Sequence, residues 1–337
     1  MNQQNKPVYK YRGGAFERDL SSLINNEIYA PTVKELNDPC EGFISTNKLM
    51  NEIDEMLKIN PQATESMNIF KDELNNTINH IETSGIYSLS KNHLDELLWA
   101  HYANSHKGFC IEYDLKMLLK LNKEIIFKNK ELLVFADIKY RNQPYHLTVD
   151  DMNNLKDATP FMEKLLGYKS KRWEYENEVR IICSKFGSIE YDYRAVKSIY
   201  FGLKMEKEEE NKIIEKLQGR GINYYKIKLK KNSYKFYAEP VEDLYKIDKK
   251  YLYSIAEVMP CTIKDINTKN PYIQKAIEIV RREPYCNSII NIKEKNNSIE
   301  VYFFKEHPIT LKQEYTYNEI DKLYSSITDL EDENITK

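Results

Sequence analysis

The sequence predicts an α+β protein with a central mixed β-sheet flanked by helices. Three observations carry that expectation. Short runs such as Val8–Arg12 and Ile222–Leu229 alternate residue by residue, the rhythm of a strand with two unlike faces. Stretches between such runs carry apolar residues at helical spacing, for example Leu20, Leu23 and Ile24 after Phe16. Ser198–Leu203, Lys207–Leu217 and Ile222–Leu229 follow as strand, helix and strand, with Gly219 and Gly221 ending the helix. That order and spacing suit a parallel crossover.

The remaining elements follow in order. Gly13 and Gly14 break the first strand, and a helix runs from Phe16 to Leu23. Ile28–Ala30 is a short strand closed by Pro31. Asn37-Asp38-Pro39 is a turn, because Asn and Asp bond their own backbone and Pro fixes φ. Asn47–Leu57 and Glu65–Glu82 are polar-rich helices, a helical insertion near residues 47–82 or a lid. Gly85–Ser90 is a strand whose Ser90 is placed to cap a helix from Lys91 to Asn104. Leu94, Leu97, Leu98 and His101 share that helix's apolar face. Strands are expected at Phe109–Tyr113 and Leu132–Tyr140, a helix at Phe161–Tyr168, and an extended run over Glu174–Cys183. Tyr234–Ala238 is the last strand of a main domain, 1–244, which carries the candidate site. A smaller C-terminal α+β module occupies 245–337. It holds a helix at Ile273–Arg281, a hairpin over Ile289–Phe304 about Lys295–Asn297, a helix at Tyr317–Thr328 and a charged, frayed tail, Asp329–Lys337.

Composition narrows the classes. The chain has 337 residues, 30% charged and 41% hydrophobic, which suits a folded soluble protein with room for two domains. A net charge of −2 gives no reason to expect wrapping of duplex DNA or coating of an anionic membrane. The five cysteines are odd in number, widely spaced and form no C-x-x-C pair, so free thiols in a reducing compartment are expected. Met1–Pro7 is polar, and no apolar run approaches the ~20 residues of a membrane span. A cytoplasmic location without membrane attachment follows as the expectation.

Several residues could carry chemistry. Read as a strand, Lys171–Arg180 sets Glu174, Glu176, Glu178 and Arg180 on one face. Carboxylates crowded in this way shift each other's proton affinity, which is useful for acid–base work. The same pattern also fits a solvated Glu–Arg ladder. His101 reads either as a catalyst or as a hydrogen-bonded core histidine, whereas His93 and His106 read as surface residues. Tyr9, Lys10, Tyr11 and Arg12 pair bases with aromatics, a combination suited to a phosphate-bearing ligand. Arg12 could equally pair one of the acids. Asp38 and Glu41 read as an acidic pair on a turn, more simply an Asx-turn than a metal site. P-loop, G-x-G-x-x-G, H-E-x-x-H and nucleophile-elbow motifs do not occur.

Taken together, the segments resemble a bacterial family known as domain of unknown function 2971. The resemblance lies in Tyr9-Lys10-Tyr11-Arg12, Asn37-Asp38-Pro39 with Glu41, and Ser88-Leu89-Ser90. It continues through Trp99-Ala100-His101-Tyr102-Ala103 and His106-Lys107-Gly108-Phe109-Cys110-Ile111. Lys169 with Trp173, Tyr175, Glu176, Glu178 and Arg180, then Phe201-Gly202, complete it. The resemblance covers Tyr9 to Ala238, leaves the C-terminal module outside, and implies no activity.

A second resemblance, to ADP-ribosyltransferases, rests on order: Arg12 on an early strand, Ser88-Leu89-Ser90, Tyr102 on a helix, then Glu176 or Glu178. It implies transfer from NAD to a macromolecule, protein or nucleic acid, as in toxins and anti-phage effectors. It would make Arg12, Ser88, Ser90 and Tyr102 NAD-binding and Glu178 or Glu176 catalytic; on the reading of the residues above, Tyr9 and Lys10 join the cofactor set and His101 the catalytic one. Two further readings stay open. One is a metal-dependent phosphodiesterase or nuclease, with Asp38, Glu41, Glu176, Glu178 and His101 converging on Mg²⁺. The other is a non-catalytic binding protein with a buried ionic network.

Overall fold

A computed structural model describes residues 7–81, 83–119, 133–152, 158–245, 255–260, 270–283, 286–306 and 309–335. The chain divides into two compact units, one built mainly from residues up to 244 and the other mainly from Tyr245 onward.

An eight-stranded mixed sheet organises the first unit. Across it run Phe236–Val241, Asn223–Leu229, Val196–Phe201, Phe109–Asp114, Pro7–Arg12, Gly85–Ser90, Glu178–Cys183 and Leu133–Asp137. All neighbours are antiparallel except Val196–Phe201 and Asn223–Leu229. Those two strands are joined through the helix Lys207–Lys216, so the parallel crossover is present. Alternation then sorts the side chains. Val8, Tyr87, Ile111, Val179 and Ile199 face one side, where Leu20, Leu23, Ile213 and Ile214 of two helices cover them. On the other side Tyr9, Tyr11, Cys110 and Tyr200 pack with Leu98 and Trp99, while Ile86 and Ile182 pack with Leu49, Ile53 and Leu74. The insertion is therefore no detached lid. Its helices, Asn47–Ile59 and Thr64–Ile81, bury an apolar stripe against the sheet.

Three expectations need correction. The helix after Gly85–Ser90 spans only Glu96–Tyr102, and Asp95 caps it, accepting hydrogen bonds from the N–H groups of Leu97 and Leu98. Ser90 instead donates its hydroxyl to the Glu176 carbonyl at 2.7 Å. Lys171–Glu176 is a 3₁₀ turn, not a strand, and Asn177 ends it in the left-handed region at φ 44°. Asparagine tolerates that conformation, and the strand Glu178–Cys183 starts just after it. Finally, the helix Ala158–Leu166 stops short of Tyr168, which begins the short strand Tyr168–Ser170.

The second unit has a four-stranded sheet in the order Glu257–Val258, Ser288–Lys295, Ser298–Glu306 and Ile309–Thr316. The hairpin is as expected, whereas the strand Ile309–Thr316 was not anticipated. The helices Pro271–Arg281 and Tyr317–Ile335 supply Ile277, Val280 and Ile320 to a core with Ile289, Val301 and Phe303. The last helix runs through Ile335, so most of the predicted tail is helical. Among the described residues no helix is long and apolar enough to cross a membrane. The described cysteines Cys40, Cys110, Cys183 and Cys286 are free thiols, and Cys261 lies outside the described residues.

Candidate active site

Strand register assembles the centre of the site. Tyr9 lies opposite Ser90, and Ser90 opposite Glu178, so the three form a row across the sheet. One step along the same face, Ser88 lies opposite Arg180. Pro7–Arg12 and Gly85–Ser90 pair at the Tyr9–Ser90 position, and a cavity of about 220 Å³ lies along both strands. Tyr9, Lys10 and Tyr11 line it from the first strand, and Ile86, Ser88, Leu89 and Ser90 from the second. The turn contributes Glu35, Leu36, Asn37 and Glu41, and the capped helix contributes Leu98 and Tyr102. Pro31, Lys169, Glu176 and Glu178 complete the wall.

Lys169 is the hub. Its ammonium lies 2.5 Å from Glu176, 3.1 Å from Glu178 and 3.1 Å from Glu41. Arg180, fully buried, donates Nε to Glu178 at 2.7 Å, Nη2 to Glu41 at 2.6 Å and Nη1 to the Leu166 carbonyl at 2.9 Å. Tyr102 donates its hydroxyl to the other Glu176 oxygen at 2.5 Å. Tyr140 accepts the Glu178 N–H at 2.7 Å. Each buried carboxylate thus has charge-assisted partners, which makes its desolvation tolerable.

The two glutamates diverge in proton affinity. Burial disfavours ionisation of Glu178, but Arg180 and Lys169 outweigh it and bring the carboxyl down to about 2. Burial prevails at Glu176 and raises its proton affinity despite Lys169 and Tyr102. Two carboxyls lining one cavity are thereby split into a fixed anion and a group better able to carry a proton. Burial, then the hydrogen bond to Glu176, makes the Tyr102 phenol harder to ionise. Lys169 keeps its proton firmly, because the three carboxylates override its burial.

Lys10 behaves in the opposite way. Its ammonium donates to the Ser88 carbonyl at 2.8 Å and lies 4.6 Å from the Tyr87 ring centre. Burial, with Arg12 nearby, pushes it down to about 7, against the pull of Glu178, Asp19 and Glu176. The unfolded chain holds this proton up to the ordinary value of 10.5, so over that interval the unfolded state binds more protons. Stability should therefore rise as pH climbs from about 7 toward 10, by at most ~1.4 kcal/mol per unit. Urea unfolding at about pH 7 and pH 9 should show the rise in the native chain and a flat response in Lys10→Met. Equal slopes in the two proteins would show that Lys10 is not the source.

Seven of the nine predicted site residues line the cavity: Tyr9, Lys10, Ser88, Ser90, Tyr102, Glu176 and Glu178. Arg12 and His101 do not. Arg12 lies on the opposite sheet face from Tyr9 and turns to Tyr87 at 3.4 Å and Asp19 at 3.9 Å. His101 is exposed and meets the Tyr175 hydroxyl at 3.2 Å. Of the apolar face assigned to Leu94, Leu97, Leu98 and His101, Leu98 is buried and Leu94 packs partly, whereas Leu97 and His101 are exposed because the helix Glu96–Tyr102 turns Leu98 and Trp99 inward. Glu174 is exposed, away from the other two acids. His93, expected at the surface, is partly buried between Tyr9 and Tyr200, with ring centres 4.8 and 4.5 Å away. The metal arrangement does not form as expected. The Lys169 ammonium sits where Glu41, Glu176 and Glu178 converge, and Asp38 accepts the Cys40 N–H at 2.9 Å in an Asx-type turn. Among the described residues no group of three or more His, Cys, Asp or Glu is arranged to hold a metal ion. Local sequence reasoning places Arg180 beside Glu178, as found, but misses its bond to Glu41 and the central role of Lys169. Only its place in the Lys169-to-Arg180 motif pointed to Lys169.

Residues 98–181 match the family described as "Protein of unknown function (DUF2971)". The resemblance read from the motifs holds over this segment, which carries Tyr102, Lys169, Glu176, Glu178 and Arg180. No curated protein and no solved structure matches the chain.

Proposed function

We propose that this cavity cleaves the bond between nicotinamide and ribose in NAD and transfers the ADP-ribosyl group to a macromolecule. The carrying observation is the split between Glu176 and Glu178, two residues apart on one cavity wall with opposite shifts in proton affinity. The reaction needs both characters. Nicotinamide leaves with the bonding electrons, and the ribose carbon acquires oxocarbenium character. A carboxylate that stays ionised stabilises that cation, which suits Glu178, held by Arg180 and Lys169. The acceptor must then lose a proton as it attacks, and a carboxylate of raised proton affinity is the better base, which suits Glu176. A cavity of about 220 Å³ can seat the nicotinamide–ribose end of NAD. Lys10 lines the cavity where Arg12 does not, and holding its ammonium on the Ser88 carbonyl it shapes the wall beside the ribose.

The test is nicotinamide release from NAD in the presence of cell lysate. Glu178→Gln should lower release by roughly 10²-fold or more. Glu176→Gln should lose transfer while slow hydrolysis continues. Thermal melts of each variant establish that it is folded. No release by the wild-type protein, or equal release by folded Glu178→Gln, defeats the assignment. One observation favours a second reading, a purely structural ionic network: Arg180 and Lys169 already engage both oxygens of Glu178. That reading predicts an inactive wild-type protein and variants that mainly lose stability.

A further inference from the structure

Beside the cavity lies a surface strip that the transfer chemistry leaves unused. Lys139–Arg141 and Tyr168–Ser170 pair in parallel, with Lys139 opposite Tyr168 and Arg141 opposite Ser170. Lys171 and Arg172 follow directly in the 3₁₀ turn. Neither Lys139–His146 nor Tyr168–Trp173 contains an acid. Lys139, Arg141, Lys171 and Arg172 are exposed, and among the described residues none of the four makes an ion pair. Flat groups are interleaved with these cations. Tyr145 and Tyr168 stack at 4.6 Å with planes 11° apart. The Arg141 guanidinium lies 5.4 and 4.8 Å from their ring centres.

The strip adjoins the cavity through the chain itself. Lys169, just before the turn, and Glu176, at its end, both line the cavity wall. Alternation sets Lys139, Arg141 and Tyr168 on the other face of this two-stranded ribbon from Tyr140 and Lys169, so a polymer on the strip reaches the acids around the Lys171–Glu176 turn.

We infer that this strip binds single-stranded nucleic acid and that the bound strand is the acceptor for the ADP-ribosyl group, an assignment that rests on the transfer reading above. Four cations without carboxylate partners call for an anionic polymer. The exposed Arg141 guanidinium, braced against Tyr145 and Tyr168, offers a flat stacking surface to an unpaired base. An acidic peptide would satisfy the cations but make no use of that surface. A duplex hides its base faces, and the chain's net charge of −2 supplies no broad positive field for it. In the transfer, an O–H or N–H group of the strand adds to the ribose carbon. Nicotinamide leaves with the electrons of the broken bond, and the acceptor's proton passes to Glu176.

The experiment uses the full chain with fluorescent single strands of about 12 nucleotides, RNA and DNA in separate arms, read by anisotropy without NAD. Binding is expected at about 50 mM salt, and the stronger arm identifies the natural strand. Arg141→Ala/Lys171→Ala/Arg172→Ala should weaken binding at least tenfold. The slope of log affinity against log salt should flatten by about 0.7 for each phosphate that the variant no longer neutralises. The surface assignment is overturned if neither strand binds, if the triple variant binds as the wild type does, or if polyglutamate displaces the probe as well as unlabelled strand does. A second stage adds NAD. ADP-ribose on the strand supports the acceptor assignment, and nicotinamide release without labelled strand overturns it. Strand binding with no nicotinamide release would instead sink the transfer reading and leave the binding surface supported.

Discussion

Arg180→Leu is expected to remove about 3–5 kcal/mol of folding stability and to lower Tm by on the order of 10 °C. No part of the Arg180 side chain reaches solvent. Its guanidinium donates to Glu178 through Nε and Nη2, to Glu41 through Nη2 and to the Leu166 carbonyl through Nη1. Removing it leaves two carboxylates of under 4% side-chain exposure sharing Lys169 with Glu176. Water cannot replace the guanidinium there, so the penalty is that of an uncompensated buried charge rather than of one missing hydrogen bond. Arg180→Lys keeps the charge but cannot span Glu41, Glu178 and the carbonyl together, so it should recover only part of the loss. Arg180→Leu/Glu178→Leu removes the stranded charge along with its partner and should be more stable than Arg180→Leu alone. Chemical unfolding of the three proteins decides the matter. A single variant within a degree or two of the wild-type Tm would mean that the network does not hold the fold together.

Why the pairing of Arg180 with Glu41 is not foreseen from sequence explains much of what is and is not legible. Local rhythm correctly placed the strands Pro7–Arg12, Gly85–Ser90 and Phe109–Asp114 and the crossover through Lys207–Lys216, because those patterns depend on neighbours two to four positions away. The pairing of Glu41 with Arg180 spans 139 positions and has no local signature. Strand logic failed between Glu174 and Glu178 because Asn177 adopts a left-handed conformation and resets the alternation. The helix start was misjudged because two good capping residues, Ser90 and Asp95, lie close together. The tertiary partner decided between them: once the Ser90 hydroxyl engages the Glu176 carbonyl, Asp95 is left to cap. Arg12 and Lys10 share a strand face, so alternation could not say which would meet the cavity. What drew the site together in advance was the family-like set of motifs, whose members lie far apart in sequence and meet in space.

Gly108→Ala should prevent folding, or cost more than about 4 kcal/mol, although it adds a single methyl group at a residue that does not line the cavity. A Cβ at this position would lie 2.0 Å from the Arg12 carbonyl oxygen and 2.9 Å from the Gly13 Cα. Neither side can yield. Gly108 donates its N–H to the Ala103 carbonyl at 2.8 Å and accepts the Gly202 N–H at 2.8 Å, while Arg12 is held in register with Phe109. Gly13 and Gly202 close the same junction, since a Cβ on either would meet the backbone of Asn104 or His106 within 2.6 Å. Between them Asn104, Ser105 and His106 run in left-handed conformation at φ 47°, 53° and 72°. Only a chain bent in this way can end the Glu96–Tyr102 helix and turn straight into the strand Phe109–Asp114. Two controls separate clash from conformation. Gly14→Ala meets only the far end of the Arg18 side chain at 3.3 Å and should be nearly neutral. Ser105→Gly relieves a left-handed serine and should gain up to about 1 kcal/mol. Soluble yield and urea midpoints test all three, and a Gly108→Ala protein that unfolds like the wild type would refute the packing argument. The junction matters to the site because Tyr102 ends the helix it terminates. With this crossing pried open, the hydroxyl that holds Glu176 would lose its anchorage before any cavity residue had been changed.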